Sequence, residues 1–173
     1  MQRLFPIACL LALAGCVLQP QEGAPSAANP LWRTDATHLA ADRSLARACL
    51  DRVRETSGFD ICRDAVQAAC LAGVAEDARS SALERMCDWR AIAAWEDEIA
   101  AALAELRLKL TSQGLLELAA SQRAWQASML ADVALNMDLY PGGSLAGPLA
   151  AHVRAEATAS RAAFLEQFLS LIE

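Results

Sequence analysis

The sequence is poor in the residues that build β-sheets, and this shortage limits its fold class. Tyrosine occurs once in 173 residues, and aromatic residues make up only 5% of the chain. Alanine and leucine dominate instead, which favours helices packed through small side chains. We therefore predict an all-α fold, a small helical bundle of about five helices.

Basic residues are also scarce. The chain has 15 Lys and Arg against 21 Asp and Glu, a net charge of −6. Loss of Arg3 with the N-terminal segment discussed below would leave 14 basic residues and a charge of −7. Nucleic-acid-binding domains need a basic face, so we predict no nucleic-acid partner. An acidic surface is compatible with a basic protein partner, because opposite charge speeds encounter.

Motifs of known catalytic chemistry are missing. The sequence has no G-x-S-x-G, no S-x-x-K with a matching base and no phosphate-binding glycine loop. The acidic run Glu96-Asp97-Glu98 could supply a carboxylate pair for acid–base catalysis, but adjacent helical positions point about 100° apart. We therefore interpret it as a solvated helix face. His152 and Glu156 share a helix face, but no third metal ligand is evident. We predict a protein that is not an enzyme and has no metal site or cofactor.

Residues 1–16 have the features of an export signal. Arg3 is the only charge before Glu22. The apolar run from Leu4 to Ala14 is about 11 residues long, whereas a helix needs about 20 to cross a bilayer. A basic start, a short apolar segment and small residues at its end are typical of a secretory signal.

Two cleavage sites compete at the end of this segment. "ALA" ending at Ala14 would suit ordinary processing, whereas "LAGC" ending at Cys16 resembles a bacterial lipobox. We favour the lipobox, in which Cys16 becomes the lipidated first residue. Val17 follows, where an Asp would tend to retain a lipoprotein at the inner membrane. The predicted location is the periplasmic side of the bacterial envelope, with a lipid anchor in the outer membrane.

Residues 17–34 are predicted to form a flexible linker. They contain polar residues, no apolar periodicity, and the prolines Pro20, Pro25 and Pro30. Residues 35–173 would then form one domain, long enough to bury a sizeable core.

Four cysteines lie in this domain: Cys49, Cys62, Cys70 and Cys87. In an oxidising compartment an even number indicates disulfides. The rival is a zinc site, but no C-x2-C pair occurs and both histidines lie outside the cluster. Of three possible connectivities, we favour Cys49–Cys62 and Cys70–Cys87, because antiparallel helices bring together residues equidistant from the turn that joins them.

The hydrophobic pattern predicts the helices. The first covers 36 to about 55, and a short second ends at Gly73. A capping box at Ser81-x-x-Glu84 opens the third, which continues to about 110. The fourth covers about 115–137. The fifth starts near Pro148, with Leu149, Val153, Phe164, Phe168 and Leu171 as its expected core face.

Several stretches resemble a known family. "RMCDWRAIAAWEDEI", "AASQRAWQASMLA", "GGSL" and "ATASRAAFL", with the upstream "ACLDR" and "DICRDAVQAAC", are similar to the LprI-type lysozyme-inhibitor N-terminal domain family. The similarity covers about residues 45–170. It implies a small secreted or lipid-anchored helical domain. The family motif falls here on Trp95, Gln122, Arg123 and Trp125.

Structural roles are expected for these motif residues. Trp95 and Trp125 should pack in the core across a helix pair, rather than form a recognition surface. Gln122 and Arg123 should orient the loop that carries Gly142 and Gly143.

The resemblance and the acidic charge suggest a non-catalytic envelope lipoprotein that binds a protein partner. Lysozymes are often strongly basic, so lysozyme inhibition is the first hypothesis. The alternative is a periplasmic structural or assembly scaffold with no inhibitor activity, and a third hypothesis is a protein that binds a small ligand in the space between its helices.

Overall fold

The computed structural model describes residues 36–56, 62–141 and 143–172. The predicted signal segment, Cys16 and the linker lie outside the described residues. Within them the chain forms five α-helices and a 3₁₀ turn at Glu76–Ala78, with no strand, which confirms the all-α fold class. The helices are α1 Ala36–Thr56, α2 Ala65–Leu71, α3 Ser81–Lys109, α4 Ser112–Leu139 and α5 Ala146–Ser170.

Local signals explain most of the helix ends. Gly73 takes a φ of +85° just after α2, a left-handed conformation that glycine adopts without strain. The cap of α3 is Ser80 rather than the predicted Ser81, because the Ser80 hydroxyl accepts a hydrogen bond from the Leu83 N–H at 3.3 Å. Thr111 caps α4 in the same way, accepting from the Gly114 N–H at 3.2 Å.

Helix α5 lies between α3 and α4, and α1 and α2 pack against the α3 side. α3 and α5 are parallel, because His152 and Arg154 on α5 contact Asp88 and Glu96 on α3 in the same order. α4 forms an antiparallel hairpin with α5.

The buried face of α5 differs from the predicted one. Phe164, Phe168 and Leu171 are 49%, 36% and 75% exposed, so the expected stripe of large residues does not face the core. The buried face consists mainly of alanines, with two leucines near its end: Ala155, Ala159, Ala162, Ala163, Leu165 and Leu169. A methyl side chain lets helix backbones approach closely, and the large residues of α3 fill the space. Trp95 is the largest of these and is fully buried.

Buried ion pairs fix α1 against α3 and α5. Arg47 donates to both Glu98 and Glu166, and Arg54 also donates to Glu166. Arg90 of α3 forms a two-point contact with the buried Asp42 of α1, at 2.8 and 2.7 Å. The predicted solvated face at 96–98 is therefore wrong for Glu98, which is only 8% exposed. The reason is the tertiary position of Arg47, which no pattern within α3 reveals.

Both predicted disulfides are confirmed. Cys49 is joined to Cys62 and Cys70 to Cys87, each with a Cα–Cα distance of 5.6 Å. They connect the short α2 to its neighbours on both sides. A helix of seven residues is marginal on its own, so these bonds and the buried Val66 hold it in place.

Removal of the second disulfide should destabilise the domain. A Cys70→Ala/Cys87→Ala protein opens a loop with a sequence separation of 17. We expect the free energy of unfolding to fall by about 3 kcal/mol in the chain-entropy model, measured by urea denaturation. Met86→Ala, next to Cys87 but exposed, is the control and should change it by less than about 0.5 kcal/mol. An unchanged midpoint in the double variant would contradict the bracing role.

A polar cluster joins α2, α3 and α5. Asp88 is 2% exposed, accepts a hydrogen bond from Gln67, and has His152 Nδ1 at 3.4 Å from its Oδ1. Burial raises the pKa of Asp88 above its ordinary value of 3.8, and the nearby His152 opposes this only in part. Ionised Asp88 therefore lowers the stability of the folded state at neutral pH.

The substitution Asp88→Asn tests this effect, because asparagine keeps a carbonyl oxygen for Gln67. A raised folded-state pKa means that the folded protein holds this proton more tightly than the unfolded chain. The contribution of Asp88 to the stability of wild type should fall as pH rises above about 3.8. The variant should thus be more stable at pH 7, with the gain disappearing below that pH, as measured by urea denaturation from pH 3 to 7. The exposed Asp77→Asn is the control. A gain that does not depend on pH would refute the assignment.

Candidate functional site

The motif residues fall into two environments. Trp95 is in the centre of the core, where packing was expected. Gln122, Arg123 and Trp125 lie near the middle of α4, with Arg123 exposed and the other two half-buried. Trp125 only borders the core, and the guanidinium of Arg161 on α5 lies over its ring. The two tryptophans therefore do not have equivalent roles.

The expectation that Gln122 and Arg123 orient the glycine loop is not met by the geometry. Tyr140 begins that loop about 18 residues further along α4, which corresponds to roughly 27 Å of helix. Gln122 instead accepts a hydrogen bond through its Oε1 from Arg161 Nε at 2.9 Å. Gly142 lies outside the described residues.

A groove runs between α4 and α5 beside this contact, with a volume of about 300 Å³. α4 contributes Trp125, Ser128, Met129 and Asp132, and α5 contributes Ala157, Ser160, Arg161 and Phe164. Helical spacing explains why these residues line one groove, because residues three and four apart on a helix face the same side. The groove is mostly apolar, and Arg161 and Asp132 are its charged lining residues.

Arg161 is the central polar group of this groove. The residue is only 7% exposed. Its Nη2 donates to the Ser121 hydroxyl at 3.1 Å, and its guanidinium carbon lies 5.8 and 5.1 Å from the ring centres of Trp125 and Phe164. These distances are typical of cation–π contacts. Burial lowers the pKa of Arg161, but a guanidinium remains charged at neutral pH.

Sequence reasoning missed Arg161 and the placement of Phe164. Arg161 is the only charge between Glu156 and Glu166 in an alanine-rich helix. A lone arginine in such a segment is a signal for a special environment, because its burial requires compensating contacts.

Around the part of its surface that does not contact α5, which is called its outer face below, α4 exposes several large apolar side chains. Met129 is the one buried residue of this helix, since α4 packs along one side of α5. The exposed large residues are Leu116, Leu130, Leu135, Met137 and Leu139, and they continue into Tyr140 and Leu145 at the corner before α5. Only Glu117, Arg123, Asp132 and Asp138 are charged along the helix. Exposed apolar surfaces of this kind often bind other proteins.

In the part of the chain that the structure describes, no group of three or more His, Cys, Asp and Glu residues is placed to hold a metal ion. None of the described helices is both long and apolar enough to cross a membrane.

Comparison with known proteins gives one match. The family model "Lysozyme inhibitor LprI" matches residues 64–165, well over half of the chain. No curated protein and no solved structure matches the chain. The matched segment includes α2, α3, α4, most of α5 and all residues that line the groove. The chain belongs to the LprI lysozyme-inhibitor family.

Proposed function

We propose that this protein acts by binding and inhibiting lysozyme, without chemistry of its own. Membership of an inhibitor family carries this proposal. The acidic net charge of −6 supports it, because lysozymes are often strongly basic and opposite charges accelerate association. Lysozyme clefts act through two carboxylates, so a domain that covers such a cleft blocks substrate without reacting.

The outer face of α4 is the surface that we assign to the enzyme. Its leucines expose apolar area, and interfaces bury such area at their centres. Asp132 and Asp138 lie on the same helix and can contact basic groups of the partner. Tyr140 and Leu145, at the corner between α4 and α5, are exposed and add to this apolar surface.

A lysis assay tests this function. The chain with Cys16→Ser, produced by export so that no lipid is attached, should slow the lysis of bacterial cell walls by added lysozyme. Inhibition should weaken as salt is raised, because salt screens the attraction between the two proteins. Lack of inhibition at micromolar protein, across several lysozyme types, would contradict the proposal and leave binding to another envelope protein as the alternative.

Variants at the α4 surface locate the interface. Leu130→Arg with Leu135→Arg adds positive charge at two exposed sites, so folding should be unaffected while binding loses apolar contact and gains repulsion. We expect at least a tenfold increase in the concentration needed for half-inhibition. Leu45→Arg, exposed on α1 and remote from α4, is the matched control and should inhibit like wild type. Equal inhibition by both variants would move the interface away from α4.

We also propose that Cys16 carries a lipid that anchors the protein in the outer membrane. The "LAGC" motif after a short apolar segment and the proline-containing linker that follows support this. Cys16→Ala should shift the protein from the membrane fraction to the soluble fraction of the host's envelope, as detected by immunoblotting. Persistent association of the variant with membranes would contradict lipidation at this residue.

A further inference from the structure

Among the buried ionisable residues of the described chain, Arg161 alone has neither an oppositely charged partner nor a titratable one. Asp42 is paired with Arg90, while Glu98 and Glu166 share Arg47. Asp88 has His152 beside it. Arg161 contacts only neutral groups, namely the Gln122 amide, the Ser121 hydroxyl and two aromatic rings.

This position of Arg161 lowers the stability of the folded protein when no partner is bound. Burial of a cation without a counter-charge costs free energy that hydrogen bonds and cation–π contacts offset only in part. Two of the three guanidinium nitrogens donate to described residues, whereas Nη1 has no described acceptor and is accessible to solvent. The groove therefore contains a positive charge and a hydrogen-bond donor that lack an anionic acceptor.

We propose that the groove between α4 and α5 receives an acidic side chain of the partner protein, whose carboxylate binds Arg161. The identity of that partner as lysozyme rests on the function proposed above. A carboxylate fits because a guanidinium can bind it through parallel N–H···O bonds. The apolar walls, formed by Trp125, Met129 and Phe164, suit the methylene groups and apolar neighbours of a glutamate or aspartate.

The remaining groups narrow the ligand class. Asp132 lies in the same groove, and its negative charge repels a multiply charged anion such as phosphate more strongly than a carboxylate with a single charge. A volume of about 300 Å³ is at the small end of ligand pockets and matches one or two side chains. The groove opens beside the apolar face of α4, so one partner can occupy both.

The shape of the groove also decides which carboxylate can reach it. The catalytic carboxylates of lysozyme lie within a cleft, and two concave surfaces cannot bring buried groups into contact. The acidic side chain must therefore project from the partner's surface. Binding at the groove would hold the partner at a site separate from the part of this protein that covers the cleft.

Blocked peptides test the groove without any lysozyme. We would titrate ¹⁵N-labelled protein, exported with Cys16→Ser, with acetyl-Leu-Glu-Phe-amide and with acetyl-Leu-Gln-Phe-amide, which differs only in lacking the charge. The reporters are the Arg161 Nε–H and the Trp125 indole N–H. The glutamate peptide should bind at least tenfold more tightly, because hydrogen bonds to charged groups are the stronger ones.

Three variants make the result specific. Arg161→Gln should abolish the difference between the two peptides. Ser160→Phe, at an exposed position on the rim, should fill the groove and weaken both peptides at least tenfold. Arg107→Gln removes an exposed arginine of α3 outside the groove and should bind both peptides like wild type. Thermal melts establish whether each variant is folded. If Arg161→Gln does not fold, peptide binding by Ser160→Phe tests the groove instead.

The outcomes separate this inference from the proposed function. Equal binding of the two peptides, or no binding, would overturn the groove assignment. Inorganic phosphate shifting the same resonances as strongly as the glutamate peptide would also overturn it, because the site would then be a general anion site. If Arg161→Gln still inhibits lysozyme like wild type, the groove inference is wrong and the proposed function remains. If the peptide binds through Arg161 but the protein does not inhibit lysozyme, the proposed function is wrong and the groove inference remains.

Discussion

The close packing of α5 against α3 is the constraint on which the rest of the structure depends. The alanines of α5 let its backbone approach α3 closely enough for Trp95 and its neighbours to fill the core. The same approach brings Glu166 of α5 and Glu98 of α3 near enough to share Arg47 of α1. A larger side chain at Ala159 or Ala162 would separate the helices and weaken the core and the ion pairs together.

The central position of α5 also explains the exposed face of α4 and the groove beside it. Because α5 separates α3 from α4, α4 has one main neighbour and keeps an exposed apolar face. The contact between α4 and α5 is less tight than the core, so a groove remains beside Trp125. Arg161 lies at this boundary, where it is buried on the α5 side but directed to neutral groups of α4. Proteins often retain such unfavourable groups where a ligand needs them.

The family match begins after α1, although α1 belongs to the same core. The matched segment, 64–165, contains the groove, the face of α4 and the Cys70–Cys87 bond. α1 adds Arg47, Asp42 and the Cys49–Cys62 bond, which hold it to α3 and α5. The surface assigned to the partner is therefore within the family segment, while α1 contributes to stability from the opposite side.

The sequence by itself determined the features that depend on local spacing. The all-α class followed from composition, the helix boundaries from caps and breaks, and the disulfides from the symmetry of cysteines about short turns. It did not reveal the alanine face of α5, because alanine gives a weak hydrophobic signal and the larger Phe164 and Phe168 outweighed it. Nor did it reveal the partners of Glu98, Gln122 and Arg161. Those contacts join residues 39 to 51 positions apart, and only the packing of separate helices brings them together.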